Sequence, residues 1–232
     1  MKIFVDSANE QEILRWLREG VVDGITTNPS IMLKDGMSDV ESGARRLCGL
    51  AGERPVSIEV TCNDASEMLR QARTFASWAR NIVVKIPVVN EFGESSLRVI
   101  NQLTSEGIAV NSTAILSFNQ ALLATKAGAT YVSIFVGRIA DEGGDPNLVV
   151  RNVRHWLDSW DYSAQIIIGS VRSVLDIQNA ALCGAHIITV PPPFFPKMID
   201  HKYTRDTVRQ FNRDAEKVLQ NAPMAGSVIT VK

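Results

Sequence analysis

"NIVVKIPV", residues Asn81 to Val88, sets a lysine inside a β-branched apolar run. Val83, Val84, Ile86 and Val88 surround Lys85 without polar alternation, so the run reads as a strand buried on both faces. Such strands belong to parallel sheets covered by helices. Two readings of Lys85 follow. One is a solvated lysine on an edge strand, a common guard against unwanted strand pairing. The other is a lysine desolvated on purpose, able to shed its proton and attack a carbonyl as a neutral amine. The residues around it have to decide.

Seven further runs resemble it: "IFVDS" (3–7), "GITTNP" (24–29), "VSIEVT" (56–61), "IAVNSTAI" (108–115), "YVSIFVGR" (131–138), "QIIIGSVR" (165–172) and "HIITVPP" (186–192). Between them lie amphipathic stretches of helical period such as "NEQEILRWLREG" and "SFNQALLATKAG". Gly20, Gly107, Gly128 and Gly184 stand where helices end. Eight strand–helix units in 232 residues average about 29 residues each, with no linker between them. That alternation predicts an α/β fold, a single (β/α)8 barrel over 1–232, with extra C-terminal helices from about residue 194 and a polar-apolar tail over 221–232. An open doubly wound sheet is the alternative. The absence of G-x-G-x-x-G after the first strand weakens it.

Composition narrows the class. A 45% hydrophobic, 21% charged chain with a net charge of −1 and no basic run points away from nucleic acid and anionic membrane. No stretch approaches the roughly 20 apolar residues of a membrane span. Cys48, Cys62 and Cys183 fit neither a disulfide framework nor a zinc site, and a cytoplasmic setting is expected. His155, His186 and His201 are scattered, so no metal is expected, and nothing calls for a cofactor. Cys62 reads as packing.

On a barrel, chemistry sits at the C-terminal ends of strands. Asp6, Thr26, Thr27, Asn28, Glu59, Thr61, Lys85, Asn111, Thr113, Ser133, Arg138, Ser170 and Arg172 all lie late in strands or just after them. Alternation predicts shared faces for Thr26 with Asn28, Glu59 with Thr61, and Asn111 with Thr113. Any one of these is an ordinary cap or turn residue. A Lys, an Asp and a Glu, each in an apolar strand, are better read as partners around a pocket, because unpaired buried charges are costly. An amine with two carboxylates suits imine formation and proton transfer. Two arginines with a serine suit a bound phosphate. Together they describe a Schiff-base aldol reaction on a sugar phosphate. A barrel that binds a sugar phosphate without turning it over is the other reading.

With "FVDSAN", "GITTNPSI", "IVVKIPV", "GIAVNSTAILSFNQALLATKAGATYVSIFVGR" and "GSVR", the chain resembles the transaldolases, in particular the short microbial type related to fructose-6-phosphate aldolases. The resemblance runs over about residues 1 to 215 and implies Lys85 as the Schiff-base lysine. It implies Asp6 as the proton shuttle at the C4 hydroxyl and Glu59 with Thr113 as holders of the catalytic water. Asn28, Asn111 and Ser133 would bind the dihydroxyacetone unit, beside Thr26, and Arg138, Ser170 and Arg172 the phosphate. Fructose-6-phosphate aldolases carry Gln where this chain has Glu59 and Tyr where it has Phe135, so Glu with Phe implies the transferase branch. The partners implied are small sugar phosphates or sulfonates. The assembly implied is a homo-oligomer, commonly a decamer of two pentameric rings with C-terminal helices reaching across subunits; the amphipathic "TRDTVRQFNRDAEKVLQ" suits either that or covering its own barrel.

The chain departs from the family pattern at the long "PVVNEFGESSLRVI" segment, at "SVRSV" and at "PPPFFPKM". Val89 to Ser96 leaves the strand that carries Lys85, which puts it at the pocket mouth. These departures bear on the substrate: a ketose phosphate, a longer ketose phosphate, or a ketose with a sulfonate at C6.

Overall fold

The structure, a computed structural model, describes residues 1–221. Eight short strands carry it: β1 (Lys2–Asp6), β2 (Gly24–Thr26), β3 (Val56–Glu59), β4 (Ile82–Pro87), β5 (Val110–Ile115), β6 (Tyr131–Phe135), β7 (Gln165–Gly169) and β8 (Ile187–Val190). Each pairs in parallel with the next, and β8 pairs with β1. The sheet is therefore closed. Lys85 cannot be an edge lysine, because β4 is hydrogen-bonded to β3 on one side and β5 on the other.

Helices follow the strands in turn. They are α1 (Glu10–Arg18), α2 (Pro29–Lys34), α3 (Val40–Ala51), α4 (Ala65–Trp78), α5 (Leu97–Ser105) and α6 (Phe118–Lys126). Then come α7 (Val136–Asp141), α8 (Pro146–Ser159) and α9 (Val174–Leu182). β2 and β6 are each followed by two helices, and between the other strands up to β8 one helix follows each strand. Asn9, Asn28, Asp39, Asp64, Ser117, Asp145 and Ser173 cap helix starts by accepting backbone N–H groups.

The two faces of each strand have separate tasks. Val5, Ile25, Ile58, Val84, Ile86, Ile134, Ile168 and Ile188 are fully buried, as are Ile13, Leu47, Ala72, Ile100, Leu103 and Val153 on the helices. These make the layer between sheet and helices. Inside, Phe4, Ile167 and Ile187 cluster with Tyr131 and plug the barrel. Gly24 lies opposite Phe4, and a Cβ there would come within 2.6 Å of the Phe4 ring. Two residues on from each plug residue, on the same face, stand Asp6, Ser133, Gly169 and Thr189. An apolar floor thus gives way to a polar layer toward the strand C-termini.

A second compact unit begins at Phe195 and contains α10 (Phe195–Ile199) and α11 (Lys202–Asn221). Along α11, Tyr203, Phe211, Val218 and Leu219 are all exposed. Of the tail expected over 221–232, residues 222–232 lie outside the described residues. No described helix is long and apolar enough to cross a membrane.

Candidate active site

Strand register sets the site. Glu59 lies opposite Lys85, and Lys85 opposite Asn111, on neighbouring strands. Lys85 Nζ is 3.0 Å from Glu59 Oε2 and donates to the Thr27 carbonyl at 3.1 Å. The two side chains are only 5% and 17% exposed, so water competes little for this ion pair. The Phe135 ring lies 6.0 Å from Nζ. It fits there because its register partner is Gly169, where a Cβ would sit 3.3 Å from the ring.

Asp6 ends β1 and accepts from Thr26 Oγ1 at 2.6 Å, while the Thr26 and Thr189 hydroxyls share a further bond. Burial pushes the Asp6 carboxyl above the ordinary Asp range. Lys85 and the Thr26 hydrogen bond pull it down, Glu59 and Asp35 push it up, and burial dominates. Asp35 also accepts from Ser7 Oγ at 2.9 Å and Ala8 N–H at 2.8 Å, fixing the turn that follows Asp6.

A second polar group lies across β3, β5 and β6. Ser133 Oγ donates to Asn111 Oδ1 at 2.7 Å, and Asn111 Nδ2 donates to Ser57 Oγ at 3.2 Å. Thr113 is fully buried, and its hydroxyl has no hydrogen-bond partner among the described residues. A buried hydroxyl without a protein partner marks a place for a ligand or an ordered water. β5 loses its register with β6 between Ser112 and Ile115, where Ala114 takes a positive φ of 56°. That bulge re-aims the end of β5 toward the pocket.

Two shared strand faces and two strand ends are corrected. Asn28 does not share a strand face with Thr26: β2 stops at Thr26, and Asn28 caps α2 by accepting from Ile31 N–H at 2.9 Å. Its Nδ2 makes no hydrogen bond among the described residues. Thr61 does not share the Glu59 face either. β3 ends at Glu59, and Thr61 is exposed and bonded to Gln71. Arg138 stands on the first turns of α7, because β6 ends at Phe135. Strand seven likewise ends at Gly169, and Ser170 takes a left-handed φ of 59° as the chain turns. Arg138, Ser170 and Arg172 nevertheless adjoin, since Gly137 N–H donates to the Ser170 carbonyl at 3.1 Å.

Val89 to Ser95 forms a small hairpin closed by an antiparallel bridge between its ends. Its acids are taken up locally, Glu94 by Asn90 Nδ2 at 2.7 Å and Glu91 by Asn63 Nδ2. Among the histidines, His155 lies on α8 and His201 precedes α11. His186 precedes β8, at the barrel end opposite Lys85, where its ring accepts from Ile166 N–H. Cys62 is half-buried, and Cys48 and Cys183 are buried free thiols.

Ser57, Thr189 and Asp141 (which holds Arg172) were not singled out by sequence reasoning, and Thr27 was named only as a strand-end residue. Ser57 and Thr189 were within its reach: Ser57 shares the strand face of Glu59, and Thr189 is the polar residue at an inward position of the apolar β8. Thr27 contributes through its carbonyl, which no side-chain pattern reveals. Asp141 required knowing that α7 begins at Val136.

A buried amine touching one carboxylate, with a second carboxylate and a row of amide and hydroxyl groups around it, can form an imine and move protons about it. The family profile described as Transaldolase/Fructose-6-phosphate aldolase matches residues 3–227. The chain belongs to that family. A "Probable transaldolase" of Streptococcus equi is 42% identical over 214 residues, covering 92% of this chain and 97% of its own. One from Dehalococcoides mccartyi is 41% identical over 94% of this chain and 99% of its own. "Probable transaldolase 2" of Listeria monocytogenes is 41% identical over 95% and 98%. Among solved structures, mandelate oxidase aligns with a TM-score of 0.57 at 16% identity, over 82% of this chain and 64% of that one. Thiamine phosphate pyrophosphorylase from Pyrococcus furiosus aligns at 0.56 and 14%, over 82% and 85%. Likeness at that identity speaks for the barrel alone. The transaldolase family membership, by contrast, spans the strands that carry Asp6, Glu59 and Lys85.

Proposed function

We propose that this transaldolase-family enzyme transfers a dihydroxyacetone unit, through a Schiff base on Lys85, from a ketose phosphate such as fructose 6-phosphate or sedoheptulose 7-phosphate to an aldose phosphate. The observation that carries this is the buried Lys85 Nζ in contact with Glu59 inside a closed barrel. Glu59 is placed to accept the proton Lys85 must lose before it attacks the C2 ketone. Glu59 and the unpartnered Thr113 hydroxyl then hold the water through which hydroxide leaves the carbinolamine. Asp6, raised by burial and so a stronger base than an ordinary Asp, takes the C4 hydroxyl proton. The C3–C4 bond breaks, and the electron pair is held as an enamine. Asn28, Asn111 and Ser133, with Thr26 beside them, fix its hydroxyls. Arg138, Ser170 and Arg172 bind the anionic end. An acceptor aldehyde enters and the steps run in reverse.

Glu59 and Phe135, together with the names of the relatives, support transfer over simple cleavage. The test has two parts. Borohydride reduction in the presence of fructose 6-phosphate traps a mass adduct on Lys85; no adduct with several donors leaves a non-catalytic binding barrel. With erythrose 4-phosphate present, transfer far exceeds release of free dihydroxyacetone; equal rates move the enzyme to the aldolase branch. A second donor class, 6-deoxy-6-sulfofructose, is favoured by one feature of the anion site, the Asp141 carboxylate on Arg172. Ranking phosphate and sulfonate donors by kcat/KM decides between them.

The exposed Tyr203, Phe211, Val218 and Leu219 of α11 support assembly into a homo-oligomer, a decamer as the family resemblance implies. Light scattering at micromolar concentration checks this, and a monomer ends it. Three free thiols fit a reducing cytoplasm, which fractionation of the source cells tests.

A further inference from the structure

Gly137 and the 170–172 turn are pressed together at the barrel mouth. A Cβ on Gly137 would lie 2.2 Å from the Ser170 carbonyl oxygen and 2.9 Å from Arg172 Nε. That close approach puts Arg138, Ser170 and Arg172 on adjoining turns, and the two arginines differ in their surroundings. Arg138 makes no ion pair among the described residues. Arg172 Nη2 donates to Asp141 Oδ2 at 2.8 Å. Its backbone N–H donates to Asp176 Oδ2, also at 2.8 Å, and that carboxylate caps α9 as well. Asp141 stands one helical turn beyond Arg138 on α7. The Arg172 guanidinium is therefore opposed by one carboxylate, and that of Arg138 by none among the described residues.

The Asp141–Arg172 pair is about half exposed on both sides. Pairs of that kind contribute little to stability, so its consequence lies in charge and orientation. We propose that Asp141 is a specificity-determining residue: it holds the Arg172 guanidinium and offsets its charge, weighting the head-group pocket toward singly charged anions over dianions. This rests on the reading of Arg138, Ser170 and Arg172 as the head-group site. A fixed negative charge opposes a phosphate dianion twice as strongly as a sulfonate monoanion at the same distance. A phosphate ester gains its second charge near pH 6, whereas a sulfonate carries one charge throughout. Acidity thus turns the discrimination on and off within one ligand.

The test is calorimetric binding of two unreactive ligands, glucitol 6-phosphate and its 6-sulfonate analogue, at pH 5.5 and pH 8. The proteins are wild type, Asp141→Asn and Asp141→Glu. At pH 8, Asp141→Asn moves the phosphate-to-sulfonate affinity ratio toward phosphate by about fivefold. At pH 5.5 the ratio moves much less, and Asp141→Glu keeps the wild-type ratio at both. A ratio unmoved at pH 8 overturns the proposal, and so does an equal shift at both pH values, which is what loosening Arg172 alone would give. Wild-type protein that binds neither ligand overturns it together with the head-group site. Binding as expected, with no borohydride adduct on Lys85, supports Asp141 and rejects the transaldolase reading.

Discussion

Lys85→Arg eliminates turnover, by at least about 10⁴-fold, while the barrel stays folded. Arginine keeps a positive charge beside Glu59, so the ion pair that Lys85 makes at 3.0 Å has a successor. What arginine cannot supply is a neutral nitrogen nucleophile, because a guanidinium does not lose its proton in a protein. Charge and chemistry are thereby separated. Lys85→Ala is expected to be equally inactive but also less stable, since the Glu59 carboxylate, only 17% exposed, is left without its cation. A coupled transfer assay with thermal melts of both variants checks this. Activity in Lys85→Arg above about one part in a hundred of wild type would remove Lys85 as the nucleophile. Equal stability of the two variants would show that the ion pair does not support the fold.

The eight strands were legible because parallel strands buried on both faces read as apolar runs, and their number and spacing already described a barrel. Their ends were not. "YVSIFVGR" and "QIIIGSVR" look continuous, yet β6 stops at Phe135 and β7 at Gly169. Both stops have one physical cause: the chain must turn where it reaches the pocket, with Gly137 drawn against the Ser170 carbonyl. A period-2 rule carried past a strand end fails, as it did for Asn28 and Thr61. Within β5 it applies to Asn111 and Thr113, which pair with Lys85 and Pro87, themselves two residues apart on β4. Charged residues in apolar strands were the most legible part of the site, since the cost of isolating them demanded that they meet. Supporting groups such as Ser57 and Asp141 were less so. A serine in a strand, or an aspartate half-exposed on a helix as Asp141 is, carries little such cost, and its role appears only when its partner is seen.

Asp6→Asn stops the reaction after the imine has formed. Asparagine matches aspartate in size and still accepts from Thr26 Oγ1, which now bonds Asp6 at 2.6 Å. It cannot take a proton, so cleavage of the C3–C4 bond slows by about 10²- to 10⁴-fold. Imine formation depends on Lys85 and Glu59 and continues. Borohydride then traps the full-length ketose on Lys85 in the variant, where wild type yields the three-carbon fragment as well. Stability moves the other way. The Asp6 carboxyl is raised by burial in the folded protein, so its neutral form is the one the fold prefers. Its contribution is fully present below the unfolded value near pH 4 and is lost as pH rises through the folded value. At pH 8, above the unfolded value, the buried Asp6 carboxyl is therefore a cost that asparagine does not carry. Asp6→Asn melts higher than wild type at pH 8, and the gap closes toward pH 4. Melting curves at both pH values, with mass spectrometry of the trapped adduct, test the two halves separately. A variant that melts no higher at pH 8 would mean that the attraction of Lys85 outweighs burial. A variant that still yields the three-carbon adduct at the wild-type rate would assign the C4 proton to another group.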